Sequence, residues 1–532
     1  MYVFDNESKL AVQKIIDDNG ALLRSIPGFV SAEPGFPIID GAVVKEPAIL
    51  VFVARKLPPS HLLQEERAPR QLGPYRVSVM QADPMRQVMA MAVHADVALR
   101  AAVSASKLTY KKIDGNPIDA SFTISKPMLC HVGPDDGWPV LKTFLEATKH
   151  TLSVAMYDFN ADYIAKTFID TVRANNIHVV LTWDNSMTAP ETTIRTKLKT
   201  TLKTNLDGWI VQCGNNHRFD SAYHEKVAVQ DSKAFWLSSG NWSTRSQPEI
   251  DPVGDPPSAK GMYSKGNREW HIIIEDEKLS KLFEQYIKYD RDGSEKEAKA
   301  GDHGAVLIMA PPVNFPDLFV PVEQFAMAEA VALPQPVACT VLPKTARDIV
   351  VQPVLTPDNY IGRIMELFNG AKHSIHMQYA YITYSDAAVD KPFTDMLKKL
   401  AELSNRPSMD MKIILGGGSS VNDDIRKLVE AGFKSTVFRV QSSIHNKGIV
   451  VDGETVLVSS ANWSGDGVLR NRDAGLIIRD SEIAGYYQKV FLDDWDKRAK
   501  ARLDDGPAVM VAARGAETPA GMVRMSWREY YG

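Results

Sequence analysis

Cysteine is scarce in this 532-residue chain: Cys130, Cys213 and Cys339 stand far apart and are odd in number. That excludes a disulfide framework and leaves reduced thiols, as in a cytoplasm, as the expectation. Long apolar runs are also missing. The most apolar stretch, 48–54, is far shorter than the ~20 residues needed to cross a bilayer, so no transmembrane segment is predicted. The first ten residues carry acidic side chains and no basic stretch ahead of an apolar one, so no ordinary secretion signal is read and a cytoplasmic location is expected. Export by a machine that needs no such signal lies outside that argument. There is no excess of basic charge either. With 61 Lys and Arg against 65 Asp and Glu the net charge is −4, a poor match for a surface that must neutralise many nucleic-acid phosphates. Hydrophobic residues, at 44%, are plentiful enough to fill several cores, and the length suggests about three to four domains.

What the chain has in place of these is a repeat. His224, Lys226 and Asp231 are spaced H-x-K-x4-D, and His445, Lys447 and Asp452 repeat the spacing. Each copy continues at the same offset to two serines, Asn-Trp and a further serine: Ser238, Ser239, Asn241, Trp242 and Ser243, then Ser459, Ser460, Asn462, Trp463 and Ser464. One H-x-K alone is usually a surface pair on a strand; two with matching tails are not a coincidence. In a strand, alternation sends His224 and Lys226 to one face and Glu225 and Val227 to the other. The run 227–229, a polar turn and the run 234–237 then form a hairpin that brings Asn241 back beside His224, and 448–451 with 455–458 repeats it around Asp452-Gly453.

The repeat extends in both directions. Pro134-Asp135 precedes Lys149-His150 by the same distance as Pro357-Asp358 precedes Lys372-His373, with a helical pattern between and a strand after each. Asn267-Arg268-Glu269 and Asn471-Arg472-Asp473 each lead into an apolar strand. An amphipathic helix closes each copy, apolar at Leu279, Leu282, Phe283, Tyr286 and Ile287 and at Ile483, Tyr486, Tyr487, Val490 and Phe491. Alternating strands and helices make the copies α/β lobes. The expected division is an N-terminal domain of unassigned role at 1–120, a first lobe at 121–300, a linker at 301–345, a second lobe at 346–505 and a tail at 506–532. In the N-terminal domain 48–54 is read as a strand and 85–108 as a helix.

The paired H-x-K-x4-D motifs resemble the signature of the phospholipase D superfamily. The resemblance implies a mixed sheet flanked by helices in each lobe, a pseudo-twofold axis between the lobes, and one phosphodiester-cleaving site built by both. A chain that carries both motifs has no need to dimerise for that site, so the catalytic unit is expected to be a monomer. By the same resemblance His224 is the nucleophile, His445 the acid and base, and Glu269 and Asp473 the acidic partners that fix each histidine's tautomer.

The chemistry is consistent with this. A phosphodiester repels nucleophiles, so its non-bridging oxygens need donors, and Lys226, Lys447, Asn241 and Asn462 are of the right kind, with Ser239 and Ser460 as further hydroxyl donors. Asp231 and Asp452 fall beyond the strand, where a structural role is expected. No cofactor and no metal are expected, because two histidines do the work; a zinc set of Cys213, His217 and His224 has no counterpart in the second copy. The substrate class is a phospholipid head group, at a membrane surface, with a nucleic-acid phosphodiester as the alternative. The aromatics Tyr157, Phe159, Tyr379, Tyr381 and Tyr384 would line either pocket.

Lesser features stay open. The first copy carries an insertion at about 247–265, a lid or a solvated loop. Gly416-Gly417-Gly418 is a phosphate cradle or a turn. Arg195, Lys197, Lys199 and Lys203 form a basic segment that also fits a solvated helix face. His131, His150, His373 and His376 are read as structural or surface residues.

Overall fold

The computed structural model describes residues 4–94, 110–214, 217–261, 266–299, 316–322, 335–503, 508–513, 515–527 and 530. The duplication read from the sequence is present as two eight-stranded mixed sheets with one strand order. In the first, the edge-to-edge order is Leu206–Val211, His178–Asp184, Thr151–Met156, Lys226–Gln230, Ala234–Ser238, Glu269–Glu275, Met128–Gly133 and Thr340–Leu342. In the second it is Phe438–Gln441, Asp410–Gly416, Ser374–Tyr379, Lys447–Val451, Thr455–Ser459, Ala474–Arg479, Ile349–Leu355 and Phe122–Ile124. The first three strands of each are parallel and the rest antiparallel. The α/β class and the paired lobes thus agree with the sequence reading.

The last strand of each sheet comes from elsewhere. Phe122–Ile124, which lies in the range assigned to the first lobe, pairs with Ile349–Leu355 of the second. Thr340–Leu342, assigned to the linker, pairs with Met128–Gly133 of the first. The segment that leads into each lobe therefore closes the other lobe's sheet, an exchange that no local pattern of three residues could announce.

The sheets share one core. Val227, Val229, Phe235 and Leu237 of the first and Val450, Val456 and Val458 of the second pack around the two closing helices, Glu277–Lys299 and Ser481–Lys497. Strand alternation sends Ala228 to a separate outer core and Ile449 and Val451 to another. Hydrophobic burial thus joins the lobes along their whole inner faces.

Two arginines cross this core. Arg268 is almost completely buried; its Nη1 donates to Asp135 and its Nε to Asp494 of the second lobe's closing helix at 3.0 Å. Arg472 does the reverse: Nη1 donates to Asp358 at 2.6 Å and Nε to Asp290 of the first lobe's closing helix at 2.7 Å. The Pro-Asp repeats are explained by this, because Asp135 and Asp358 are the near partners of the two seam arginines.

The N-terminal domain is built on Ala48–Val53, all six residues buried, with Phe29–Gly35 antiparallel and Tyr75–Gln81 parallel to it. It docks on the second lobe through charge: Arg426 binds Glu33 at 2.7 Å, and Arg86 binds Glu33 at 2.6 Å and Asp423 at 3.1 Å. The expected helix at 85–108 is seen as Pro84–His94, and its continuation lies outside the described residues. The segment read as a tail supplies Met510–Val511 and Met522–Met525, which flank Leu318–Pro321 of the interlobe segment in a small sheet. Their few residues carried no readable period. Among the described residues no helix is long and apolar enough to cross a membrane.

Arg472→Met would leave Asp290 and Asp358 buried without their cation, so a loss of about 3–5 kcal/mol is expected in urea unfolding. A loss below about 1 kcal/mol would show that the seam is solvated in solution.

Candidate active site

The motif residues gather at one end of the two sheets, where the parallel strands finish and the H-x-K strands begin. The strands start at Lys226 and Lys447, so His224 and His445 stand just before them and not within them as the alternation implied. What holds each histidine is the opposite lobe. His224 N donates to Arg472 O at 2.7 Å and His445 N to Arg268 O at 3.2 Å, within short parallel bridges between Tyr223 and Arg472 and between Arg268 and Ile444.

The carboxylates cross over in the same way. His224 Nδ1 lies 2.7 Å from Asp473 Oδ1, and His445 Nδ1 lies 2.7 Å from Glu269 Oε1. With Nδ1 carrying the proton toward the carboxylate, each Nε2 is left with its lone pair outward. Glu269 also accepts from Ser239 Oγ at 2.6 Å and Ser246 Oγ at 2.9 Å; Asp473 accepts from Ser460 Oγ at 2.6 Å. Ser239 and Ser460 were expected to donate to phosphate. Their hydroxyls are instead committed to the carboxylates while their oxygens accept from Trp270 N and Ala474 N, so they brace the acids. Ser246 was missed, since the second copy has Gly467 at the matching offset.

The lysines are fully buried. Lys226 Nζ donates to His224 O at 2.8 Å and lies 5.1 Å from the Tyr157 ring centroid. Lys447 Nζ donates to His445 O at 2.5 Å and sits 3.0 and 2.9 Å from that ring's Nδ1 and Nε2. Asn241 and Asn462 are buried with Oδ1 unpartnered in both lobes, a matched pair of amides whose flip would present an N–H there. Asp231 and Asp452 lie outside the site. Each takes positive φ and its carboxylate accepts three successive backbone N–H groups, from Lys149, His150 and Thr151 and from Lys372, His373 and Ser374.

Burial shapes the charges. It drives the His224 pKa down to about 3, helped by Lys226 and opposed by Asp473. Burial lowers His445 also, with Glu269 opposing. Glu269 is pushed up by burial, but the charge and hydrogen bond of His445, Lys447 and the Ser239 hydroxyl outweigh that and hold it at about 2. Lys226 is lowered well below its usual range and Lys447 to about 8, both by desolvation. Among the described residues no three metal-binding side chains converge, and His217 faces Glu297 in place of the other members of the zinc set.

The aromatic residues divide. Tyr157 stands on the His224 ring, centroids 4.5 Å apart at 64°. Phe159 and Tyr379 are core residues, packed on Trp242 and Trp463. The first residue of the triple glycine ends the strand Asp410–Gly416, with Gly416 N bonded to Ala380 O and Gly417 N to Gln441 O. His131 stacks on His271 and His376 on Phe491, and neither reaches the catalytic pairs. Arg195, Lys197 and Lys199 of the basic segment lie on the helix Ala189–Leu202, which Lys203 caps, with Lys197 paired to Asp162. The insertion is described to residue 261 and packs near Tyr163, whose hydroxyl donates to Gln247 O; 262–265 lie outside the described residues.

The family model described as "Cardiolipin synthase, PLD-like domain" matches residues 141–291 and 364–495, one stretch in each lobe. The mitochondrial cardiolipin hydrolase of Xenopus laevis is 24% identical over 182 residues, covering 32% of this chain and 78% of that protein. Among solved structures, phosphatidylserine synthase of Haemophilus influenzae Rd KW20 is 12% identical and covers 71% of this chain and 90% of that one, with a TM-score of 0.46. The phospholipase D family member Nuc of Salmonella typhimurium is 21% identical and covers 28% and 97%, with a TM-score of 0.23.

Both His224 and Glu269 bind fewer protons folded than unfolded, His224 between pH 6.5 and about 3 and Glu269 between pH 4.5 and about 2. Stability is therefore retained above pH 6.5 and falls as the pH drops through those windows, by at most about 1.4 kcal/mol per unit per group. His224→Asn should flatten the loss between pH 6.5 and 3 in urea unfolding; an unchanged slope would contradict a buried neutral His224.

Proposed function

The chain belongs to the phospholipase D superfamily of phosphodiesterases, and from that premise we propose that it hydrolyses, or transfers, the head group of a phospholipid through a phosphohistidine, without a metal. The observation that carries this is the pair of buried histidines, each with Nδ1 2.7 Å from the other lobe's carboxylate.

His224 Nε2 attacks phosphorus while the bond to the leaving alcohol breaks and His445, which enters the step as the imidazolium after taking a solvent proton on Nε2, gives that proton to the leaving oxygen. The neutral state of His224 suits a nucleophile. Glu269, ionised down to about pH 2, stabilises the imidazolium that His445 must become. His445 then takes a proton from water, the water oxygen bonds to phosphorus, and the phosphorus–nitrogen bond returns its electron pair to His224. Lys226, Lys447, Asn241 and Asn462 neutralise and orient the non-bridging oxygens, and a bound diester would favour the charged form of both lysines. An alcohol replacing the water would make the reaction a transfer.

A lipid is favoured over a nucleic acid by three observations: the family's description, the name of the 24%-identical relative, and a net charge of −4. The monomer and the cytoplasmic location read from the sequence belong to the same proposal.

The test is head-group release from mixed phospholipid vesicles in EDTA by the wild type, His224→Ala and His445→Ala. The wild type should be unaffected by EDTA and each variant should lose at least about 10³-fold in rate, since the histidines act as one unit. Loss in EDTA that zinc restores would overturn the metal-free mechanism; no lipid turnover beside cleavage of single-stranded DNA would replace the substrate with nucleic acid.

A further inference from the structure

The two halves of the site are built alike, which makes the points where they differ informative. The residue after the strand Thr151–Met156 is Tyr157, and its counterpart after Ser374–Tyr379 is Ala380. The equivalence is fixed by the backbone: Tyr157 N donates to Glu225 O and Ala380 N to Asn446 O, both at 3.0 Å, one residue past each catalytic histidine. Only the first lobe therefore sets an aromatic ring against its histidine.

We propose that Tyr157 is a positioning residue that makes His224, and not His445, the group that attacks phosphorus. This rests on the phosphohistidine reading above. The ring meets the His224 imidazole edge to face, centroids 4.5 Å apart, and together with the Asp473 contact it fixes the direction of Nε2. The same ring draws Lys226 Nζ to 5.1 Å from its centroid, while that ammonium's hydrogen bond goes to the His224 carbonyl. Among the described residues no donor then reaches the His224 Nε2 lone pair. In the second lobe, where Ala380 offers no ring, Lys447 Nζ lies against the His445 imidazole itself, 3.0 Å from Nδ1 and 2.9 Å from Nε2. A positive charge held that close weakens the imidazole as a nucleophile and makes its imidazolium a readier proton donor. The asymmetry thus divides the roles between two histidines with equivalent motifs.

The experiment uses the full chain and bis(4-nitrophenyl) phosphate, a diester that needs neither lipid nor nucleic-acid recognition. After an alkaline quench, peptides containing His224 and His445 are examined by mass spectrometry for the phosphoryl adduct, alongside kcat and KM. The wild type should carry the adduct on His224 alone. Tyr157→Phe keeps the ring and should retain both that exclusivity and a kcat within about 3-fold. Tyr157→Leu and Tyr157→Ala should lower kcat at least about 10-fold with little change in KM and spread the adduct onto His445; the Leu variant fills the volume should the Ala variant not fold. An adduct confined to His224 at undiminished kcat in Tyr157→Leu would overturn this inference alone. A wild-type adduct on His445 would overturn the assignment of the nucleophile and this inference with it, and turnover with no adduct on either histidine would overturn the two-step reading itself.

Discussion

Each motif histidine is met by a carboxylate of the other lobe, and much of the structure follows from that crossing. A 2.7 Å contact between Nδ1 and a carboxylate oxygen, made twice across the pseudo-twofold axis, tolerates little relative movement of the lobes. The backbone bridges beside it, from Arg268 and Arg472 to the segments carrying His445 and His224, extend the same registration to the main chain. The buried arginines then set their guanidinium groups between an aspartate of their own lobe and one on the other lobe's closing helix. Hydrophobic burial along the shared core supplies attraction without direction; the ion pairs and bridges supply the direction.

The sequence carried the motif in full, because residues at fixed short spacing are legible as strings: His224 with Lys226, His445 with Lys447, and the serine and asparagine tails. It also singled out Glu269 and Asp473, through the strands that follow them, as carboxylates to expect beside the histidines. It could not say which acid serves which histidine. Glu269 is nearer to His224 in the chain, and only the three-dimensional crossing gives it to His445. The serines were misassigned for a related reason: Ser239 and Ser460 have the chemistry of phosphate donors, but a buried carboxylate demands hydrogen bonds of its own and takes theirs. Asp231 and Asp452 were placed outside the pocket by the turn that follows each strand, and their three amide contacts give them a positive task there.

Duplication here has not meant identity. Tyr157 faces Ala380 across the axis, His271 of the first lobe stands where the second has Gly475, and Glu269 is longer by a methylene than Asp473. His271 takes up Ser238 Oγ at 2.6 Å and stacks on His131, and both rings are buried and held neutral, His131 by burial and then by His271. The first lobe has thus acquired a second polar layer behind its carboxylate, whereas the second keeps a plain glycine there. Two motifs that are equal as strings sit in unequal surroundings, which is what a reaction with one nucleophile and one proton carrier requires.

The exchanged edge strands have a consequence for how the chain comes into being. Phe122–Ile124 is made before any part of the second sheet and must wait for Ile349–Leu355, while the strand Met128–Gly133 keeps an open row of amides and carbonyls until Thr340–Leu342 has been synthesised. A nascent chain holding only the first repeat therefore exposes an unpaired sheet edge for the time a ribosome takes to add about forty more residues, roughly two to eight seconds at usual speeds. Such an edge invites pairing with neighbouring chains. The two closures fall at different times: the first sheet gains its edge strand once Thr340–Leu342 is made, whereas Phe122–Ile124 waits for the second repeat.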